Sequence, residues 1–166
     1  MATPTQRLHL LALMGYMYAH RAQLDYPPDD IRTWRDNQSW LMSEQTLDHV
    51  LQGGGRWQGD CSEYGSYLLR LAGCWRWNGP GYTGSHLQLL PVYEDARAAM
   101  VGALVIFGPG TGHHEAMVKK PDPAGGNPLL SSHGRAGLDE VRLKDLAASQ
   151  AQSGYPGVRF LSIAHL

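Results

Sequence analysis

GDCSEYGSYLLRLAG, residues 59–73, is the stretch on which the reading of this chain turns. Asp60 is a good helix N-cap, Tyr64, Tyr67–Leu68 and Leu71 recur at helical spacing, and Gly73 supplies the stop. The helix so defined carries Cys61 in its first turn. Free N–H groups and the positive end of the helix dipole favour an anion there. A thiol attacks a carbonyl as its thiolate, and the same amides are suited to hold the oxyanion that forms. A buried helical cysteine with a packing role has the same sequence appearance, so position alone does not decide between the two.

Upstream, Thr3-Pro4-Thr5 opens a first helix that runs to about Ala22, and Asp25-Tyr26-Pro27-Pro28 stops it. A short helix is expected from Asp29 or Asp30, and another from Ser43 to Gln52 before Gly53-Gly54-Gly55. Downstream, residues 74–91 read as a long aromatic, Gly-rich loop, a type that is more often functional than not. The period then changes. ALVIF (103–107) reads as a buried strand and residues 113–119 as its partner. A Pro/Gly turn at 121–128 leads to a third strand over 128–133. Residues 138–148 are mixed, with a helix from Leu143, and GVRFLSI (157–163) is a closing strand. Helices first and antiparallel strands later argue for an α+β fold.

The 166 residues suit one domain. It divides into a helical part (1–58), a core carrying the chemistry (59–143), and a closing helix and strand (144–166). A net charge of −1 leaves no basic field for nucleic acid and no polybasic patch for a membrane surface. The apolar run at 8–18 is too short to span a bilayer. It contains His9, follows a single Arg and lacks a good cleavage site, so it reads as a core-packed helix rather than a secretory leader. Cys61 and Cys74 would sit at opposite ends of a helix about 20 Å long. That is far beyond the ~7 Å Cα separation a disulfide tolerates, so two free thiols are expected.

A cysteine nucleophile needs a base. His113 and His114 open the second strand, and their side chains must point to opposite faces, so one of them can meet the Cys61 helix. His133 ends the next strand, where it can orient that base, within a register uncertain by a residue or two. A zinc site built from Cys61, His113, His114 and His133 is the weaker reading, because adjacent strand residues rarely share one ion. No metal or other cofactor is expected.

Taken together, these segments resemble the NlpC-type, papain-like cysteine peptidases. The resemblance rests on Asp60-Cys61-Ser62-Glu63-Tyr64, on Gly102-Ala103-Leu104-Val105-Ile106-Phe107, on His114-Glu115-Ala116-Met117-Val118 and on His133 at the end of the next strand, and so covers residues 59 to about 143. It implies a papain-like fold with the nucleophile at a helix N-terminus packed on a mainly antiparallel sheet. It further implies Cys61 as nucleophile, His114 as base, His133 as orienting residue and the Ser62 backbone N–H in the oxyanion hole. CHAP amidases share the Cys-then-His order and are nearly as good a match.

The chain departs from the family pattern in three places. Glu115 replaces an apolar residue, which would leave that strand more open to solvent. Gly102-Ala103 lacks the family's Asp. The family's tyrosine upstream of a Gly-Gly pair is missing before Gly53-Gly54, with His49, Gln52, Trp57 or Gln58 as open alternatives for the second oxyanion donor.

The resemblance implies a hydrolase that cuts a peptide or amide bond in bacterial peptidoglycan through a Cys-His-His triad and a thioester. Such a protein would act as a monomer on the cell wall after synthesis in the cytoplasm, that of a phage-infected host included. A phage endolysin and an injected amidase effector both fit. The alternative is a non-catalytic wall-binding or tail structural protein on the same fold. Trp57, Trp75, Trp77 and Tyr82 are the expected substrate-binding aromatics. An activated thiolate–imidazolium pair would keep alkylation of Cys61 fast below the ~8.5 pKa of a free thiol.

Overall fold

The computed structural model describes residues 2–26, 57–74 and 82–163. The helices expected at Asp29/Asp30 and at Ser43–Gln52, together with Trp75 and Trp77, lie outside them. Helix α1 (Pro4–Ala19) starts on a capping box in which Thr3 and Gln6 exchange side-chain-to-backbone bonds. It ends three residues earlier than its composition suggests, passing into a 3-10 turn at Arg21–Gln23. Strand β1 (Leu24–Asp25) then pairs in parallel with β2 (Trp57–Gln58). Helix α2 (Cys61–Leu71) follows directly and buries nearly all of its length.

Helix α3 (Thr83–Leu89) interrupts the segment read as a loop. Its sequence, TGSHLQL, is a weak helix former. Tertiary contact makes it: Gly84, Ser85 and His86 are buried, and Ser85 exchanges bonds with the Tyr82 backbone. Strands β3 (Val92–Tyr93), β4 (Leu104–Phe107), β5 (His114–Lys120), β6 (Leu129–Gly134) and β7 (Gly137–Arg142), helix α4 (Leu143–Gln152) and β8 (Val158–Leu161) complete the described chain. Strand β7 occupies what composition left as a mixed region. The two-residue turn Arg135-Ala136 closes it onto β6, and Gly137 takes a φ of 103° that favours glycine.

The six-stranded sheet has the order β3-β8-β4-β5-β6-β7 with every pairing antiparallel, so the architecture is α+β. The closing strand β8 lies inside the sheet, between β3 and β4. Both faces are covered. Leu104, Ile106, Met117 and Leu161 pack with α1 and α2 in one core, whereas Val105, Phe107, Ala116, Val118, Leu130 and Phe160 pack with Leu143 of α4 in another. Two covered faces explain why residues 103–107 form an uninterrupted apolar run. Alternation along β5 fixes its sides: Glu115 and Met117 face α2, and His114, Ala116 and Val118 face α4. None of the described helices is long and apolar enough to cross a membrane.

Candidate active site

Cys61 is the first residue of α2. The Asp60 carboxylate accepts from the backbone N–H of Ser62 at 2.8 Å and of Glu63 at 2.9 Å, and the Asp60 N–H donates to Glu63 Oε2 at 3.1 Å. This capping box takes up the Ser62 N–H that was expected to serve an oxyanion. The Cys61 N–H is left as the first-turn amide without an acceptor among the described residues.

The Cys61 side chain is buried, against the Glu115 backbone N–H and the Tyr26 hydroxyl, both of which favour its thiolate form. Space for this exists because the β5–β6 ladder begins only at Met117↔Ser131, leaving the first residues of β5 unpaired on that side. Burial pushes the thiol far up in pKa, with the Asp60 and Glu115 carboxylates adding to the effect. The Glu115 amide and the Tyr26 hydroxyl pull it partly back. Cys74, beyond the other end of α2, is buried too, and both thiols are free.

His114 faces the α4 side. Its Nε2 lies 2.8 Å from Ser132 Oγ and its ring centroid 6.0 Å from that of Phe107. Burial, followed by the nearby His113 and His133, lowers its pKa to about 4. Among the described residues no hydrogen bond joins His114 to Cys61. Tyr26, whose hydroxyl stands against the Cys61 sulfur, lines a cavity of about 550 Å³ with His114, Ser132, Arg135, Asp145 and Gln150. His113 stacks on Tyr155, with ring centroids 3.4 Å apart. Of the two adjacent histidines, His114 is therefore the one that meets a neighbouring strand's polar side chain.

His133 does not reach His114. Extending the β5–β6 register places it opposite Glu115, on the α2 face, where it is fully buried. Its Nε2 lies 3.3 Å from the Asp25 carbonyl oxygen, and its ring is enclosed by Tyr26, Trp57 and Tyr64 with centroids 5.8, 5.6 and 5.8 Å away. Burial lowers its pKa. The β6 side chain that meets His114 is instead Ser132, because a shift of one residue along a strand exchanges the faces.

Trp57 is 1% exposed and packs on Tyr64, Tyr67 and His133, so it has no surface to offer a substrate. Tyr82, at the start of α3, is 55% exposed. Glu115 is buried rather than solvent-facing, and its carboxyl bonds His86 Nδ1 at 2.6 Å. Among the described residues no group of three or more His, Cys, Asp and Glu could hold a metal ion.

Tyr26 was not legible as a site residue: in the sequence it is one member of a helix-stopping run. The parallel β1–β2 pairing brings it to Cys61. Leu24↔Trp57 and Asp25↔Gln58 are in register, and the Gly59 N–H donates to the Asp25 carbonyl at 3.2 Å. Compared with known proteins, the chain matches no family model, no curated protein and no solved structure.

Proposed function

We propose that the chain is a cysteine hydrolase of the papain-like, NlpC kind that cleaves a peptide or amide bond in bacterial peptidoglycan. The observation that carries the reading is the setting of Cys61. A capped helix N-terminus sets the sulfur against the Glu115 amide and the Tyr26 hydroxyl, and Tyr26 also lines the cavity that holds His114 and Ser132.

In this mechanism Cys61 attacks the carbonyl carbon while His114 accepts the thiol proton. Ser132 Oγ accepts from Nε2–H, which leaves Nδ1 as the base nitrogen. The oxyanion is met by the Cys61 N–H and, once substrate displaces it from the sulfur, by the Tyr26 hydroxyl. Collapse expels the amine, which takes the proton from His114. Water, deprotonated by the same imidazole, then hydrolyses the thioester and restores the thiol. The triad of this proposal is Cys61, His114 and Ser132. The reaction starts from a neutral thiol and a neutral imidazole, given the direction of both pKa shifts.

A second reading is a non-catalytic wall-binding or phage tail protein on the same fold. It is favoured by the 5% exposure of Cys61 and the lack of a hydrogen bond to His114 among the described residues. Digestion of purified peptidoglycan by wild type and Cys61→Ala, with mass spectrometry of the released fragments, separates the two. New termini made only by the wild type support the hydrolase and name the bond. Identical fragment profiles from the two proteins refute it.

A further inference from the structure

Behind the nucleophile lies a chain of buried polar groups that the mechanism does not use. Ser66 Oγ donates to the Ser62 carbonyl at 2.8 Å, and His86 Nε2 lies 2.9 Å from the same Oγ. His86 Nδ1 lies 2.6 Å from Glu115 Oε2. Glu115 in turn offers its own backbone N–H to the Cys61 sulfur. The path leaves Cys61 through β5, crosses α3 and returns to Ser62, the residue next to Cys61. Every side chain along it is buried. A Cβ on Gly65 would lie 2.3 Å from Glu115 Oε1, so that glycine lets the carboxyl press against α2.

The contact between His86 Nδ1 and Glu115 Oε2, at 2.6 Å, holds one hydrogen between the two atoms, at a site where both side chains are 0% exposed.

We propose that Glu115 and His86 are positioning residues for Cys61, joined by a shared proton in a buried hydrogen-bonded circuit that fixes the sulfur against the β5 amide. The proposal rests on reading Cys61 as the reactive residue, but its test reads thiol chemistry rather than turnover. The other titratable groups facing the sulfur are Asp60 and Tyr26, and Asp60 also acts on Glu115. Neither belongs to the circuit.

The experiment is alkylation of Cys61 by iodoacetamide, resolved from Cys74 by peptide mass spectrometry, for wild type, Ser66→Ala and Glu115→Gln, with thermal unfolding in parallel. Ser66→Ala cuts the circuit and is expected to alkylate about tenfold faster at neutral pH, the equivalent of one buried hydrogen bond. Glu115→Gln can refill it, its carboxamide N–H donating to Nδ1, and is expected to stay within about twofold of wild type by the same measure. Proton NMR should show a strongly downfield resonance at His86 in the wild type that Glu115→Gln lacks. Folded Ser66→Ala alkylating at the wild-type rate, or a wild type without that resonance, would overturn the proposal. A wild type that shows both effects yet leaves peptidoglycan uncut would refute the hydrolase reading and leave the circuit standing.

Discussion

Ser132 Oγ lies 2.8 Å from His114 Nε2, joining two neighbouring strands on the α4 face of the sheet. A neutral hydrogen bond of this kind contributes about 1 kcal/mol. Ser132→Ala is therefore expected to lower kcat on peptidoglycan fragments about five- to tenfold with little change in KM. His133→Leu is expected to act on stability instead. The Asp25 carbonyl loses its ring donor but keeps the Gly59 N–H, at a cost of about 0.5–1.5 kcal/mol in denaturant unfolding. Unchanged kcat in Ser132→Ala, beside a stable but inactive His133→Leu, would return the orienting role to His133.

The Tyr26 hydroxyl stands against the Cys61 sulfur, and the proposed mechanism has it donate to the oxyanion. Tyr26→Phe keeps the ring between Cys61 and the cavity while removing the hydroxyl. Loss of one oxyanion donor commonly costs about 10²-fold or more in kcat, and a fall of that order is expected here. Wild-type turnover in Tyr26→Phe would leave the Cys61 N–H as the working donor.

The acidity of Cys61 is set against thiolate formation by burial first and by Asp60 next. Alkylation of the free wild-type protein is therefore expected to be slow at neutral pH and to accelerate only in the alkaline range, unlike an activated thiolate. Asp60→Asn retains an N-cap acceptor of similar quality but removes a charge that opposes ionisation. Its alkylation profile should move to lower pH, with little loss of thermal stability. Wild-type alkylation that plateaus well below the pKa of a free thiol would contradict the buried, protonated state.

The lowered pKa of His114 has a consequence for folding. The folded protein protonates this ring only near 4, whereas the unfolded chain does so near its ordinary 6.5. Between these values the unfolded state binds more protons, so the contribution of His114 to stability is present above about 6.5 and is lost as pH falls toward 4. Glu115, raised by burial, works in the opposite direction above its ordinary 4.5. The His114 part is read as the difference between wild type and His114→Gln in urea unfolding. That difference should change across pH 4 to 6.5 in the stated direction, by up to about 3 kcal/mol. A constant difference would show that the ring titrates as if exposed.

The sequence by itself determined the elements whose signals are local. Asp60 and Glu63 specify the start of α2, because a capping box uses residues three apart. Thr3, Pro4 and Gln6 do the same for α1. The apolar run at 103–107 marks a buried strand without reference to its partners. The positions of Cys61 at a helix start and His114 at a strand start were legible because both are local features. Tertiary structure decided the rest. Ser132 rather than His133 meets His114 because facing follows register, and the turn at 121–128 leaves register open by the one residue that exchanges the faces. Tyr26 reaches Cys61 through a parallel pairing of segments more than thirty residues apart, for which neither segment carries a local signal. Glu115, an expected sign of solvent exposure, is buried because His86, on a helix formed only by tertiary contact, supplies its partner. Local signals place Cys61 at a helix start and His114 at a strand start, whereas the groups that surround each of them depend on contacts between distant segments.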